Sequence, residues 1–424
     1  MTLPAPPCRR TSSGRVPRRV LAVVAVAGLG LLAGCQGTSH AQASGTHAPS
    51  SGSSSGSPSE AASAHPASVT VTPADGAVDV APSAPVQVVV AGGDLGAVTV
   101  TDGSGARMDG SVAASTGTPG TSVWTPAAPL AYGATYHLSA STQGSGKAQA
   151  SVATTFTTVR PAHESTPSIG PLAGQTVGVG MPIRVFFDQP VDDAHKAAVE
   201  RELKISSSTP TDGVWSWLSD TEVHFRPSDY WPPNTDVTVD ADLRGVDLGN
   251  GVWGAKDREV TFHVGDKHVS VADAAAHTLT VYDGDTVVQT YPMSAGKDAT
   301  PTRNGKHVVT ESYADMTMNS ATFGLAADAP GGYSAKVRWA VRISNNGEFV
   351  HAAPWSVAQQ GRSNASHGCI NLSTDRANWF FAFSQPGDIV DVQHSVGPPL
   401  SAADGDIYDW TIPWDQWQAD SALH

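Results

Sequence analysis

The chain has 424 residues, a formal net charge of -14, 42 glycines and 30 prolines. An acid excess this large excludes nucleic acid as a partner, because gripping a phosphate backbone needs a basic footprint. The length allows about two to four domains, and the Gly and Pro content points to turns and short extended segments rather than long helices.

The first segment, 1–34, is basic and then apolar. Arg9, Arg10, Arg15, Arg18 and Arg19 precede the run Val20 to Gly34, which has the length of a signal-peptide core and is too short to span a bilayer comfortably. The run closes on Leu32-Ala33-Gly34-Cys35, which resembles the bacterial lipoprotein signal. That resemblance implies cleavage before Cys35, lipid on Cys35, and a protein held on the outer face of the cell membrane and reaching into the wall; stable anchoring takes more than one acyl chain. An ordinary secretory leader with an incidental cysteine is the alternative. Of the three cysteines, Cys8, Cys35 and Cys369, only Cys369 then remains as a thiol. It has no partner for an internal disulfide, and reactive chemistry is a good reason to keep one.

Residues 35–67 are Ser, Gly, Ala, Thr, Pro and His with almost no large apolar side chains, and read as a disordered tether. From 68 onward apolar residues alternate with polar ones between turn signals, as in Val86-Gln87-Val88-Val89-Val90, which predicts short antiparallel strands. The block recurs. Pro85-Val86-Gln87-Val88-Val89 returns as Pro182-Ile183-Arg184-Val185-Phe186, and Trp124-Thr125-Pro126 returns as Phe225-Arg226-Pro227. A repeat of about 100 residues predicts two tandem immunoglobulin-like β-sandwiches, at 68–160 and 161–266, neither with a cysteine bridge. They are expected to act as spacers whose removal leaves soluble activity intact.

A third unit, 267–397, reads as mainly β with one or two helices. Asp283-Gly284-Asp285 marks a hairpin. A helix is predicted over Thr374 to Phe383, with Ser373 or Thr374 as N-cap. The extension 398–424 carries Trp410, Trp414 and Trp417, expected to pack back onto a neighbouring domain.

The chemistry concentrates between His351 and Ser373, around Ser366-His367-Gly368-Cys369-Ile370-Asn371. A cysteine nucleophile needs a base or cationic partner to keep it as thiolate, which imidazole supplies near neutral pH, so an ionised sulfur beside His351 is expected. Gly368 lets the backbone turn sharply beside it. His351 ends a predicted strand, and Cys369 lies on the connection that follows. His351, His367 and Cys369 as a zinc site is disfavoured by spacings of 16 and 2 and the lack of a fourth ligand nearby, so no metal and no cofactor are expected. His263, His268, His277 and His307 carry no pattern and are read as surface.

This stretch resembles the active-site motif of the L,D-transpeptidases. The resemblance spans about 270 to 397, and the two preceding sandwiches and Trp-rich tail match the larger members. It implies Cys369 as nucleophile and His351 as general base, with His367 and Gly368 flanking the nucleophile. It implies a lid over Met318-Asn319-Ser320-Ala321-Thr322-Phe323-Gly324 and Gly332-Tyr333. Candidate substrate contacts are Met318, Tyr333, Asn346, Gly347, Trp355, Ser366 and Asn371, although an aromatic such as Trp355 reads more readily as core. Family members often carry Ser after the base histidine; Ala352 stands there, and its carbonyl serves the imidazole equally. The implied reaction is a 3→3 peptidoglycan cross-link, through a thioester on Cys369 with release of D-Ala from a donor stem. The implied partners are donor and acceptor stem peptides, with carbapenem-type β-lactams as inhibitors. Two rivals stand beside it: an L,D-carboxypeptidase or wall hydrolase with the same Cys–His pair, and a non-enzymatic wall-binding protein.

Overall fold

The computed structural model describes residues 68–423 apart from 92–93, 115–120, 144–149, 324–325, 331 and 406. The expected leader, Cys35, the tether up to residue 67, and Gly324 of the expected lid lie outside the described residues.

The first unit is a two-sheet β-sandwich. One sheet orders Ser68–Thr72, Gln87–Ala91, Thr121–Pro126 and Gly110–Ala114; the other orders Asp94–Asp102, Thr135–Gln143 and Ser151–Thr157. The alternation read from sequence sends Val86, Val88, Trp124, Leu138 and Phe156 between the sheets. The second unit repeats the plan with Thr176–Val177, Arg258–Val264, Thr235–Ala241 and Leu203–Ser207 facing Gly213–Ser219, Glu222–Pro227, Ile183–Phe186 and Ser168–Gly170. Its core centres on Ile183, Phe225, Trp231, Val239 and Phe262. A helix the pattern did not predict, Asp193–Arg201, starts where the Asp192 carboxylate accepts from Ala194 N–H at 3.0 Å.

The second sandwich and the third unit share a core. Val308 and Ile389 of the third unit, with Ile407 of the C-terminal extension, belong to the same buried cluster as the sandwich valines. Gly178 N–H donates to Pro386 O at 2.7 Å and Gly180 N–H to Gly387 O at 2.8 Å. A Cβ on Gly178 would lie 2.4 Å from Asp388 N, so only glycine permits this approach. A spacer needs no such junction.

The C-terminal tryptophans pack on the second sandwich. Trp417 is fully buried and donates to Val214 O at 2.9 Å; Trp410 donates to Gly180 O at 2.7 Å. The Arg226 guanidinium sits 4.8, 5.0 and 4.5 Å from the rings of Trp410, Trp414 and Trp417. Beside it, the buried His224 ring lies between Asp409 at 2.9 Å and Glu222 at 2.8 Å.

The third unit packs a five-stranded sheet against a four-stranded one. The first orders Thr286–Pro292, Thr278–Asp283, His268–Asp273, Ile389–Gln393 and Gly305–Val308; the second orders Ser312–Asn319, Ser334–Arg342, Phe349–Ala352 and Ile370–Leu372. The predicted helix forms over Thr374–Phe383 after Ser373 and buries Ala377 and Phe380. Two histidines read as surface are not. His307 is fully buried, its ring nitrogens 3.1 Å from Ile343 O and 3.0 Å from Arg303 O. His268 is half-buried, stacked on Phe383 and bonded to Asp388.

Candidate active site

Strand pairing brings His351 beside Asn371, and the loop entering the strand of Asn371 carries Cys369. Phe349–Ala352 and Ile370–Leu372 run parallel in the register Val350 to Ile370, His351 to Asn371 and Ala352 to Leu372. Side chains alternate along a strand, so Asn371 shares a face with its cross-strand partner His351, and Cys369, in the bend just before Ile370, lines the same cleft. That face opens on a cleft of about 390 Å³, lined among others by Met318, Tyr333, His351, Trp355, Ser366, His367, Cys369 and Asn371.

Cys369 is 6% exposed and its thiol donates to Gly347 O at 3.6 Å. Burial pushes the thiol up to about 12, and the nearby Glu348 charge adds to this against the Phe349 N–H. His351 is 4% exposed, and its Nδ1 lies 2.9 Å from Ala352 O. A carbonyl only accepts, so Nδ1 carries the proton and Nε2 keeps the lone pair. Burial pushes this imidazole down to about 4, opposed by the bond to Ala352. Both shifts run in the direction that favours a neutral thiol and a neutral imidazole. Burial works against a standing thiolate–imidazolium pair, the simplest reading of a Cys–His motif.

The loop before Cys369 is laced from several sides. Gly368 adopts φ +124°, the conformation that favours glycine. Its N–H donates to Ser366 Oγ at 3.1 Å, Ser366 Oγ donates to Cys369 O at 2.6 Å, and Thr302 Oγ1 donates to Gly368 O at 2.7 Å. Ser366 thus holds the turn as well as lining the cleft. His367 lies against Tyr333, ring centres 5.3 Å apart, and its Nε2 is 3.2 Å from the Lys297 ammonium. An ammonium only donates, so Nε2 is the acceptor; burial and the Lys297 charge both hold this imidazole below its ordinary value. Burial, then Cys369, push the Tyr333 hydroxyl up to about 12.

The remaining candidates divide. Met318 is buried in the wall. Asn371 donates to Ser356 Oγ at 3.1 Å, and its Oδ1 has no hydrogen-bond partner among the described residues. Trp355 is 60% exposed at the rim, 6.0 Å from the His351 ring, and is not a core residue. Asn346 and Gly347 line a second cavity of about 380 Å³, which also touches Tyr333 and His367. The Asn346 side chain is turned inward onto Ser344 and Asp404. Glu348, Lys297 and Thr302 also build the site and were not singled out from the sequence, since none falls in a motif. Among the described residues no three His, Cys, Asp or Glu are grouped to hold a metal.

A buried histidine on one strand and a buried cysteine just before its parallel partner, both lining one cleft, are the side-chain types that acyl transfer through a cysteine uses, on a mainly β frame. Comparison with known proteins fixes the kind. A bacterial Ig domain family model matches residues 77–247, and the L,D-transpeptidase catalytic domain matches residues 267–392. The chain is 41% identical over 354 residues to L,D-transpeptidase 2 of Mycobacterium tuberculosis, covering 84% of this chain and 85% of that one. It is 41% identical over 362 residues to L,D-transpeptidase 5 of the same species, covering 84% and 77%. A solved L,D-transpeptidase in complex with imipenem is 38% identical, with a TM-score of 0.47, covering 55% of this chain and all of that one. The chain belongs to the L,D-transpeptidase family, and its enzymatic class is acyl transfer on peptidoglycan.

Proposed function

We propose that Cys369 is the nucleophile and His351 the general base of a 3→3 peptidoglycan cross-linking reaction. His351 Nε2 takes the thiol proton as sulfur attacks the carbonyl of the third residue of a donor stem. The bond to D-Ala breaks, and the imidazolium returns that proton to the leaving amine. A thioester remains. The side-chain amine of a third residue on another stem attacks it, gives its proton to His351, and sulfur leaves and recovers the proton as thiol. The observation that carries this reading is the one cleft that Cys369, Asn371 and His351 line together. Because burial favours the neutral form of both groups, the proton moves with the attack rather than before it, and no isolated ion pair stands in a buried site.

His367 and Gly368 shape the nucleophile loop in this reading, and Met318, Tyr333, Trp355, Ser366 and Asn371 contact the stem. Carbapenems would acylate the same sulfur. Cys35 carries the lipid anchor, on the outer face of the membrane, and the chain divides at 68, 161, 267 and 398. Purified wild-type protein given a tetrapeptide stem should release D-Ala and form cross-linked dimers. Retained release by Cys369→Ala would refute the nucleophile, and tripeptide without dimer would make the enzyme a carboxypeptidase. Fatty-acid labelling that survives Cys35→Ser would refute the anchor.

A further inference from the structure

The nucleophile's hydrogen-bond acceptor is not fixed by its own strand. Gly347 O, which takes the Cys369 thiol, belongs to a turn in which Gly347 sits at φ +96° and its N–H reaches Ser344 O only at 3.4 Å. Ile343 N–H closes the base of this turn on Glu348 O at 3.0 Å and Ser344 Oγ bonds Asn346 and Glu348 within it, while its tip is held from outside by the C-terminal extension. Asp404 O accepts Asn346 N–H at 2.8 Å, and Asp404 Oδ1 accepts Asn346 Nδ2 at 3.3 Å and Arg303 Nε at 2.8 Å. Asp404 Oδ2 accepts Ser401 N–H and Oγ–H at 3.1 and 2.8 Å. The carboxylate is 6% exposed and fully engaged. The same extension is fastened to the second sandwich through Trp410, Trp417 and Asp409.

We propose that Asp404 is a positioning residue for Cys369, acting through Asn346 and the Gly347 carbonyl, so that the C-terminal extension sets where the nucleophile rests. The proposal takes Cys369 as nucleophile from the reading above. It also gives Asn346 a task inside the protein rather than on the substrate. Of the ionisable groups that bear on the sulfur, Tyr333 and Glu348, the second is linked to Asp404: Glu348 accepts from Arg303 N–H at 2.9 Å and Arg303 Nε donates to Asp404, so a change at sulfur reports the turn together with Glu348.

The test follows imipenem adduct formation on the full chain by intact-protein mass spectrometry, together with iodoacetamide alkylation of the resting enzyme. In Asp404→Ala the acylation rate constant should fall by about ten-fold, since small misplacements at a reacting centre are costly, while the adduct still goes to completion. Alkylation at fixed pH should speed up several-fold, because the S–H loses its acceptor. Asp404→Asn, which keeps an acceptor oxygen for Arg303 and Asn346, should recover most of the rate. If Asp404→Ala fails to fold, Asp404→Asn alone must still acylate measurably more slowly than wild type. An unchanged rate constant, a loss confined to the fraction of protein that acylates, or no recovery in Asp404→Asn would overturn the proposal. Wild-type protein that never takes the adduct would instead sink the functional reading, and the alkylation rates would still decide this one.

Discussion

Replacing His224 by Gln is expected to weaken the grip of the C-terminal extension on the second sandwich, and to do so in a pH-dependent way. His224 is fully buried between Asp409 and Glu222. Burial alone would strip its proton, but Asp409 and then Glu222 more than offset this and lift the imidazole from 6.5 to about 9. A tenfold change in proton binding is worth about 1.4 kcal/mol, so the proton on His224 contributes about 3 kcal/mol to the folded state. The folded value is raised above the unfolded one. The contribution is therefore complete below about pH 6.5 and is lost as pH rises through about 9. Tryptophan fluorescence suits the assay, because Trp410, Trp414 and Trp417 all stack on Arg226 next to this pair. Thermal melts from about pH 6 to about pH 10 should show the wild-type midpoint falling by several degrees across that window. His224→Gln should start lower and lose less. A wild-type curve that is flat over the window, or a His224→Gln curve that falls in parallel with it, would refute the reasoning.

Further consequences concern the thiol, the junction and the rim. With the Cys369 thiol pushed up to about 12, iodoacetamide should modify the resting enzyme at neutral pH at least about a hundred-fold more slowly than an exposed cysteine; fast alkylation that levels off near pH 7 would count against a neutral resting pair. Gly178→Ala forces a Cβ to within 2.4 Å of Asp388 N and should destabilise the sandwich–catalytic junction by about 1–3 kcal/mol, read as a lowered melting midpoint. Deleting 161–266 would expose Val308, Ile389 and Ile407 and should give an aggregating, inactive fragment, contrary to a spacer role; a soluble fragment with full activity would restore that role. Trp355→Ala removes an exposed ring and should leave the melting midpoint unchanged, while raising KM for the donor stem by up to about ten-fold.

What the sequence made legible was local. The period-2 runs became sandwich strands, Asp283-Gly284-Asp285 became a hairpin, and Thr374–Phe383 became a helix, because each depends on neighbours a few residues away. That His351 and Cys369 line one cleft was legible because few residues separate them and the strand of His351 pairs with the one that follows Cys369. Helix Asp193–Arg201 was not, since it buries only Val199 and Glu200 and shows no apolar stripe. His307 and Glu348 were invisible as buried polar groups, because residue type alone places them in water. The contacts of Arg226 and His224 join residues about 185 apart in the chain, beyond the reach of any window-based pattern.

The protonation of Cys369, the proposed nucleophile, belongs to this second, non-local class, and it changes how the proposed chemistry is understood. A Cys–His motif read alone suggests a ready-made thiolate. Burial of both groups reverses that, raising the thiol and lowering the imidazole at once. Transferring a proton between them in the empty cleft would create two charges where water is scarce, at considerable cost. The cost falls only when a carbonyl carbon is present to take the sulfur's negative charge as it develops and pass it on to the oxygen. In the proposed reaction, the burial that raises the Cys369 thiol would tie its activation to the arrival of an acyl donor.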